Sequence, residues 1–115
     1  CEKGAIMKTI IVTIIFLLGI NLLADVENGK KLHLANCAIC HTTNGGMAFG
    51  KDFNIVSYTR KKQDIKAYMK DPYENFKRFG YSANAMPTLP LKEHEIEDIA
   101  DYIDSLQTFK VWMKK

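Results

Sequence analysis

Five consecutive residues, Cys37-Ala38-Ile39-Cys40-His41, constrain this chain more than any other feature. Two thiols three positions apart can each reach one vinyl group on the same edge of a porphyrin. The histidine directly after the second thiol is then carried under the ring, where its imidazole can bind iron. The block reads as an attachment site for a c-type haem, with Cys37 and Cys40 as thioether donors and His41 as an axial iron ligand. Cys-x-x-Cys alone serves disulfide exchange or zinc equally well, and a zinc site needs a fourth protein ligand, for which His33 and His94 are the candidates.

The 115 residues suffice for one domain and not two. A domain of this size buries only about 60–65% of its unfolded surface, so its core is marginal unless something such as a porphyrin completes it. The net charge of +3 is too small for a nucleic-acid-binding domain.

Residues 1–24 read as an export signal, and residues 25–115 as the folded domain. Met7-Lys8 gives a basic start, Ile10 to Leu18 is almost unbroken apolar, and Asn21-Leu22-Leu23-Ala24 resembles a cleavage region. Even extended to Ala24, the apolar stretch is shorter than the roughly 20 residues that span a bilayer. Residues 1–6 precede a good start methionine and read as lying upstream of the true start; Cys1 receives no role. Export leaves Cys37 and Cys40 as the only thiols, in an oxidising compartment such as the periplasm. Contact with a membrane follows only if the leader is retained.

The exported part reads as all-α. A first helix is expected over Asp25 to Asn36, capped by Asp25, with Gly29 as an unfavourable interior residue. His41 to Lys51 is a loop rich in breakers. Gln63 to Lys70 is helical and ends at Asp71-Pro72, after which Tyr73 to Pro90 is irregular. Lys92 to Leu106 carries the strongest pattern, with Ile96, Ile99, Ala100, Ile103 and Leu106 on one stripe and acidic residues opposite.

A haem iron held by His41 needs a sixth ligand unless it binds gases or peroxide. His33 is too close to Cys37 on the same side, His94 is on a polar helix face, and Met69 belongs to an apolar one. Met47 follows His41 too closely, and Met113 lies in the tail. Met86 stands in the non-helical stretch Ser82 to Pro90, with small residues before it and the stiffening Pro87 after it. It is the expected sixth ligand, the alternative being ordinary core packing. Leu89, Phe53, Ile55 and Tyr58 are expected pocket walls.

These features resemble the class I c-type cytochromes, specifically the small bacterial periplasmic ones, over roughly Asn28 to Leu106. The resemblance rests on Gly29 eight residues before Cys37, the Cys-x-x-Cys-His block, the Met86-Pro87 loop and the acidic closing helix with Tyr102. It implies a domain of three to four helices around one covalently attached haem c, with Gly29 and Tyr102 meeting where the first and last helices cross. Many members have a proline after the histidine whose carbonyl accepts the bond from the ligand's other nitrogen. Phe49-Gly50-Lys51 stands there instead, leaving that acceptor open.

The expected function is one-electron carriage between redox proteins, with no catalysis. A periplasmic dehydrogenase is the expected donor and an oxidase or peroxidase the acceptor. A variant makes the chain a dedicated small subunit of such a dehydrogenase, for example one oxidising sulfite. The competing reading is a haem-based sensor whose sixth ligand is displaceable. A basic middle segment (Arg60, Lys61, Lys62, Lys66, Lys70, Lys77 and Arg78) is the candidate docking surface, and the tail from Thr108 to Lys115 either contacts a partner or folds back.

Overall fold

In the computed structural model, which describes residues 2–114, the chain is all-helical. The elements are α1 (Glu2–Asn36), α2 (Phe53–Thr59), α3 (Lys62–Lys70), α4 (Pro72–Asn75), α5 (Glu93–Ser105) and a short 3-10 turn, Val111–Met113. No strand occurs among the described residues.

Helix α1 is longer than expected. Leu22, Leu23 and Ala24 are good helix formers with no breaker among them, so Asp25 lies inside the helix and does not cap it. Ile6, Met7, Ile10, Ile11, Val12, Ile14 and Ile15 are all more than half exposed and add nothing to the core. Among the described residues no helix is long and apolar enough to cross a membrane. Cys1 lies outside the described residues.

The C-terminal part of α1 crosses α5 at Gly29. A Cβ there would strike the Asp98 carbonyl oxygen, and would lie 2.6 Å from its carbon and 2.8 Å from Cβ of Tyr102. The glycine that propensity disfavours is thus required by backbone contact, as the pairing with Tyr102 anticipates. Asn28 Nδ2 donates to Asp98 Oδ2 beside it at 2.6 Å. One turn further, the buried His33 ring packs between Tyr102 and Phe53, with centroids 5.5 and 5.2 Å away.

The α5 stripe is buried as the periodicity requires: Ile96, Ile99, Ala100 and Ile103 join Cys37, Phe53, Ile65 and Met69 in one cluster. Leu32, Val56, Met86, Leu91 and Leu106 pack against it, half-buried. The acidic side of α5 meets α3. Lys62 pairs with Glu97 at 2.6 Å and also with Asp101, Lys66 pairs with Glu97, and Lys70 pairs with Glu93 at 2.7 Å. The Lys62 and Lys66 ammonium groups hold the Glu97 carboxyl down to about 2, against the small opposing effect of burial.

Two short helices were not apparent in the sequence. Asp71-Pro72 ends α3 and also starts α4, because proline suits the first helical position and Asp71 accepts from the Glu74 N–H at 3.0 Å. Asp52 caps α2 by accepting from the Asn54 N–H at 2.8 Å. The tail folds back on α2. Lys110 is buried, and its Nζ donates to the Ser57 carbonyl at 3.0 Å, the Ser57 hydroxyl at 3.0 Å and the Asp104 carbonyl at 2.8 Å. Held at both ends, α2 carries Phe53 to the imidazole of His41.

Candidate haem site

One cavity of about 440 Å³, within the roughly 300–1,000 Å³ typical of cofactor sites, opens against the core. Cys37, Cys40, His41 and Met86 all line it. Its other walls are mostly apolar and aromatic, including Phe53, Ile65, Tyr68, Phe79 and Leu89. The walls and the hydrophobic cluster share Cys37, Phe53, Ile65, Met69 and Ile103, so whatever fills the cavity also completes the core.

His41 is set from several directions. Its Nδ1 donates to the Lys51 carbonyl oxygen at 2.8 Å. A carbonyl only accepts, so Nδ1 carries a proton and the neutral ring keeps its lone pair on Nε2, the tautomer needed for metal ligation. The acceptor that the sequence left open is thus a main-chain oxygen of the very stretch that replaces the proline. Phe53 stacks on the ring at 4.5 Å and 19°. Gly50 lies against the same imidazole: a Cβ there would sit 2.5 Å from Nδ1 and 2.7 Å from Nε2. Its N–H donates to the Cys40 carbonyl at 2.7 Å, closing the loop behind the cysteine-histidine block.

Asp52 organises that loop. Its carboxylate accepts from the Thr42 hydroxyl at 2.6 Å and the Gly45 N–H at 2.8 Å, in addition to its cap bond. Burial pushes the Asp52 carboxyl up, but the hydrogen bonds from Thr42, Asn54 and Gly45 outweigh it and hold the group below its ordinary value. Burial, aided by Cys40, pushes the Cys37 thiol up to about 11.

Met86 lies half-buried on a segment without helix or strand, Ser82 to Lys92. The Asn84 side chain engages both its main-chain groups: Met86 N–H donates to Oδ1 at 3.1 Å, and Nδ2 donates to the Met86 carbonyl at 3.0 Å. Of the other candidate ligands only Met69 reaches the cavity wall, and it is buried in the core cluster on α3. Met47 is fully exposed, Met113 and His94 are exposed, Met69 is core, and His33 is enclosed by Phe53 and Tyr102 away from the cavity walls. His33 Nδ1 has no partner, and burial with a smaller repulsion from His41 lowers its pKa.

The zinc alternative finds no donor set. Among the described residues, no group of three His, Cys, Asp or Glu donors close enough to share an ion includes Cys37, Cys40 or His41. The mostly apolar and aromatic walls of this cavity suit a large apolar group.

Two further expectations need correction. Leu89 and Phe53 are cavity walls, but Ile55 and Tyr58 are not, because α2 turns only its Phe53 and Val56 side inward; Ile55 is 51% exposed. The basic middle segment is only partly free as a docking surface, with Lys61 and Lys77 exposed outside the ion pairs. Lys62, Lys66 and Lys70 are neutralised by α5, Arg78 pairs with Asp64 at 2.8 Å, and Arg60 lines the cavity with Nη2 donating to the Phe79 carbonyl at 2.9 Å. Sequence reasoning missed Gly50, Asp52, Arg60, Tyr68 and Asn84. Only Asn84 carried a signal, standing two residues before Met86, where an amide side chain reaches main-chain groups.

The model of the cytochrome c family matches residues 26–107. The chain is similar to cytochrome c6 of Nostoc sp. strain PCC 7120, with 38% identity over 85 residues covering 71% of each chain. It is also similar to cytochrome c6 of Pyropia tenera, 34% identical over 92 residues, 77% of this chain and 100% of that one. Cytochrome c6 of Bumilleriopsis filiformis is 32% identical over 83 residues, 70% of this chain and 90% of its own. No solved structure matches.

Proposed function

This chain belongs to the cytochrome c family, and from that premise we propose that it is an exported carrier whose haem is held by Cys37, Cys40, His41 and Met86. As a member of the family it carries one covalent haem c, and it moves electrons without catalysing a reaction of its own. In this reading Cys37 and Cys40 supply the thioethers, His41 the fifth iron ligand and Met86 the sixth. The observation that carries it is one cavity lined by both thiols, by an imidazole whose Nδ1 is already engaged, and by Met86.

Bound haem supplies the one-electron couple, and histidine–methionine ligation favours its ferrous state. The chain's residues do the rest. The Lys51 carbonyl keeps the His41 proton on Nδ1. Phe53, Ile65, Tyr68, Phe79 and Leu89 exclude water and disfavour the extra positive charge of the oxidised state, raising the potential further.

Residues 1–24 act as the export leader, and the domain from Asp25 works in the periplasm. Its donor is a periplasmic dehydrogenase and its acceptor an oxidase or peroxidase. The matches covering 90–100% of small relatives favour a free shuttle over a dedicated subunit of a dehydrogenase, such as one oxidising sulfite.

The test combines three readouts on protein matured with haem. The mass should equal the chain from Asp25 plus one haem, haem stain should stay on the polypeptide in denaturing electrophoresis, and Met86→Ala should lose the methionine–iron band and lower the midpoint. Loss of stain refutes the thioethers; an unchanged spectrum and midpoint in Met86→Ala removes Met86 from the iron.

A further inference from the structure

The segment bearing Met86 has almost no main-chain support of its own. Among the described residues, the main-chain groups of residues 82–90 make three hydrogen bonds. Two go to the Asn84 side chain, and one runs from the Leu91 N–H to the Leu89 carbonyl. Pro87 and Pro90 have no N–H to offer. The two groups flanking the Met86 side chain, its own N–H and its own carbonyl, are both satisfied by one amide. The orientation of that amide is fixed by chemistry, since Oδ1 can only accept from the N–H and Nδ2 can only donate to the carbonyl. Asn84 is itself half-buried on the cavity wall, and the Tyr68 hydroxyl lies 3.5 Å from its Oδ1.

We propose that Asn84 is a positioning residue for the sixth iron ligand: its amide clamps the main chain of Met86 and thereby sets how firmly the sulfur holds against displacement. This rests on the reading of Met86 as that ligand. The clamp acts by removing conformational freedom. A methionine has three rotatable bonds, and its main chain here lies in a segment with few other hydrogen bonds to hold it. Fixing the N–H and the carbonyl holds the main chain and leaves the thioether only its rotamers to order. An aspartate at 84 keeps the bond from the N–H but cannot donate to the carbonyl. An alanine keeps neither.

The experiment uses the haem-loaded protein in three forms: wild type, Asn84→Asp and Asn84→Ala. Two quantities are read from the far-red charge-transfer band of thioether-bound ferric iron: the imidazole concentration that abolishes it, and the alkaline pH at which it disappears. Imidazole should displace the sulfur at about tenfold lower concentration in Asn84→Ala, the effect of losing one or two net hydrogen bonds. The band should vanish at lower pH there, and Asn84→Asp should fall between. A band in wild type with both variants matching it in imidazole sensitivity and pH overturns this proposal alone. A wild type without the band overturns it together with the ligand reading beneath it. If Asn84→Ala fails to load haem, the comparison of Asn84→Asp with wild type decides.

Discussion

Replacing Gly29 by alanine sets helix propensity directly against packing, and the structure says which wins. In an isolated helix the change is favourable by about 1 kcal/mol. Here the new Cβ meets the Asp98 carbonyl oxygen, with that group's carbon at 2.6 Å and Tyr102 Cβ at 2.8 Å, against the roughly 3.5–4.0 Å of a comfortable carbon contact. The obstructing atoms are main chain and a Cβ, so no side-chain rotation relieves the contact. Helix α5 must retreat by roughly 1 Å, a gap that forfeits up to about half of each dispersion contact across the seam. Overpacking of this kind costs about 1–3 kcal/mol, and a main-chain obstruction belongs at the upper end. Subtracting the propensity gain leaves a destabilisation of about 2 kcal/mol, or roughly 8–16 °C in Tm for a domain of this size. Thermal unfolding of the haem-loaded Gly29→Ala protein, followed by circular dichroism, reads it. Gly80→Ala is the control: its φ of +85° brings only backbone strain, with no atom within 4 Å of the added methyl. A Gly29→Ala protein melting at or above wild type refutes the packing argument.

Three other expectations follow from the same structure. Gly50→Ala should push the imidazole aside, so the protein keeps its covalent haem but shows high-spin ferric absorption; an unaltered low-spin spectrum contradicts the contact between Gly50 and His41. Burial keeps His33 neutral in the folded state, so the unfolded chain takes up its proton first. Stability measured in urea should therefore fall as pH drops through 6.5, and His33→Leu should remove that step while adding about 1–2 kcal/mol at neutral pH by eliminating an unpartnered buried nitrogen; a variant with the parent's pH profile refutes this. Lys110→Met keeps the apolar stem but leaves the Ser57 carbonyl without its donor and the Asp104 carbonyl with only the Ser57 hydroxyl, and should lower the urea midpoint by the equivalent of about 1–3 kcal/mol. An unchanged midpoint means the tail does not brace α2.

What the sequence disclosed was whatever periodicity or spacing encodes. The stripe on α5 fixed its buried side, and the five-residue block together with Met86-Pro87 marked six residues that line one cavity. The Gly29 contact was legible only through family resemblance, since no local rule says what a helix will meet. Asp25 failed as a cap because capping chemistry cannot stop a helix whose preceding residues favour continuing. The Lys51 carbonyl was invisible because any residue offers the same main-chain oxygen. The basic segment misled for another reason: charges in sequence do not reveal that α3 and α5 would lie side by side and neutralise each other. Glu97, the acid that two of those lysines share, acquires its role only from that juxtaposition.

The most direct test of a closed iron site is exposure of the reduced, haem-loaded wild-type protein to carbon monoxide. If His41 and Met86 hold the iron from both sides, as proposed, the ferrous spectrum should stay unchanged on mixing at neutral pH. Prompt formation of a carbonyl complex would contradict a dedicated electron carrier and favour a haem that binds external ligands.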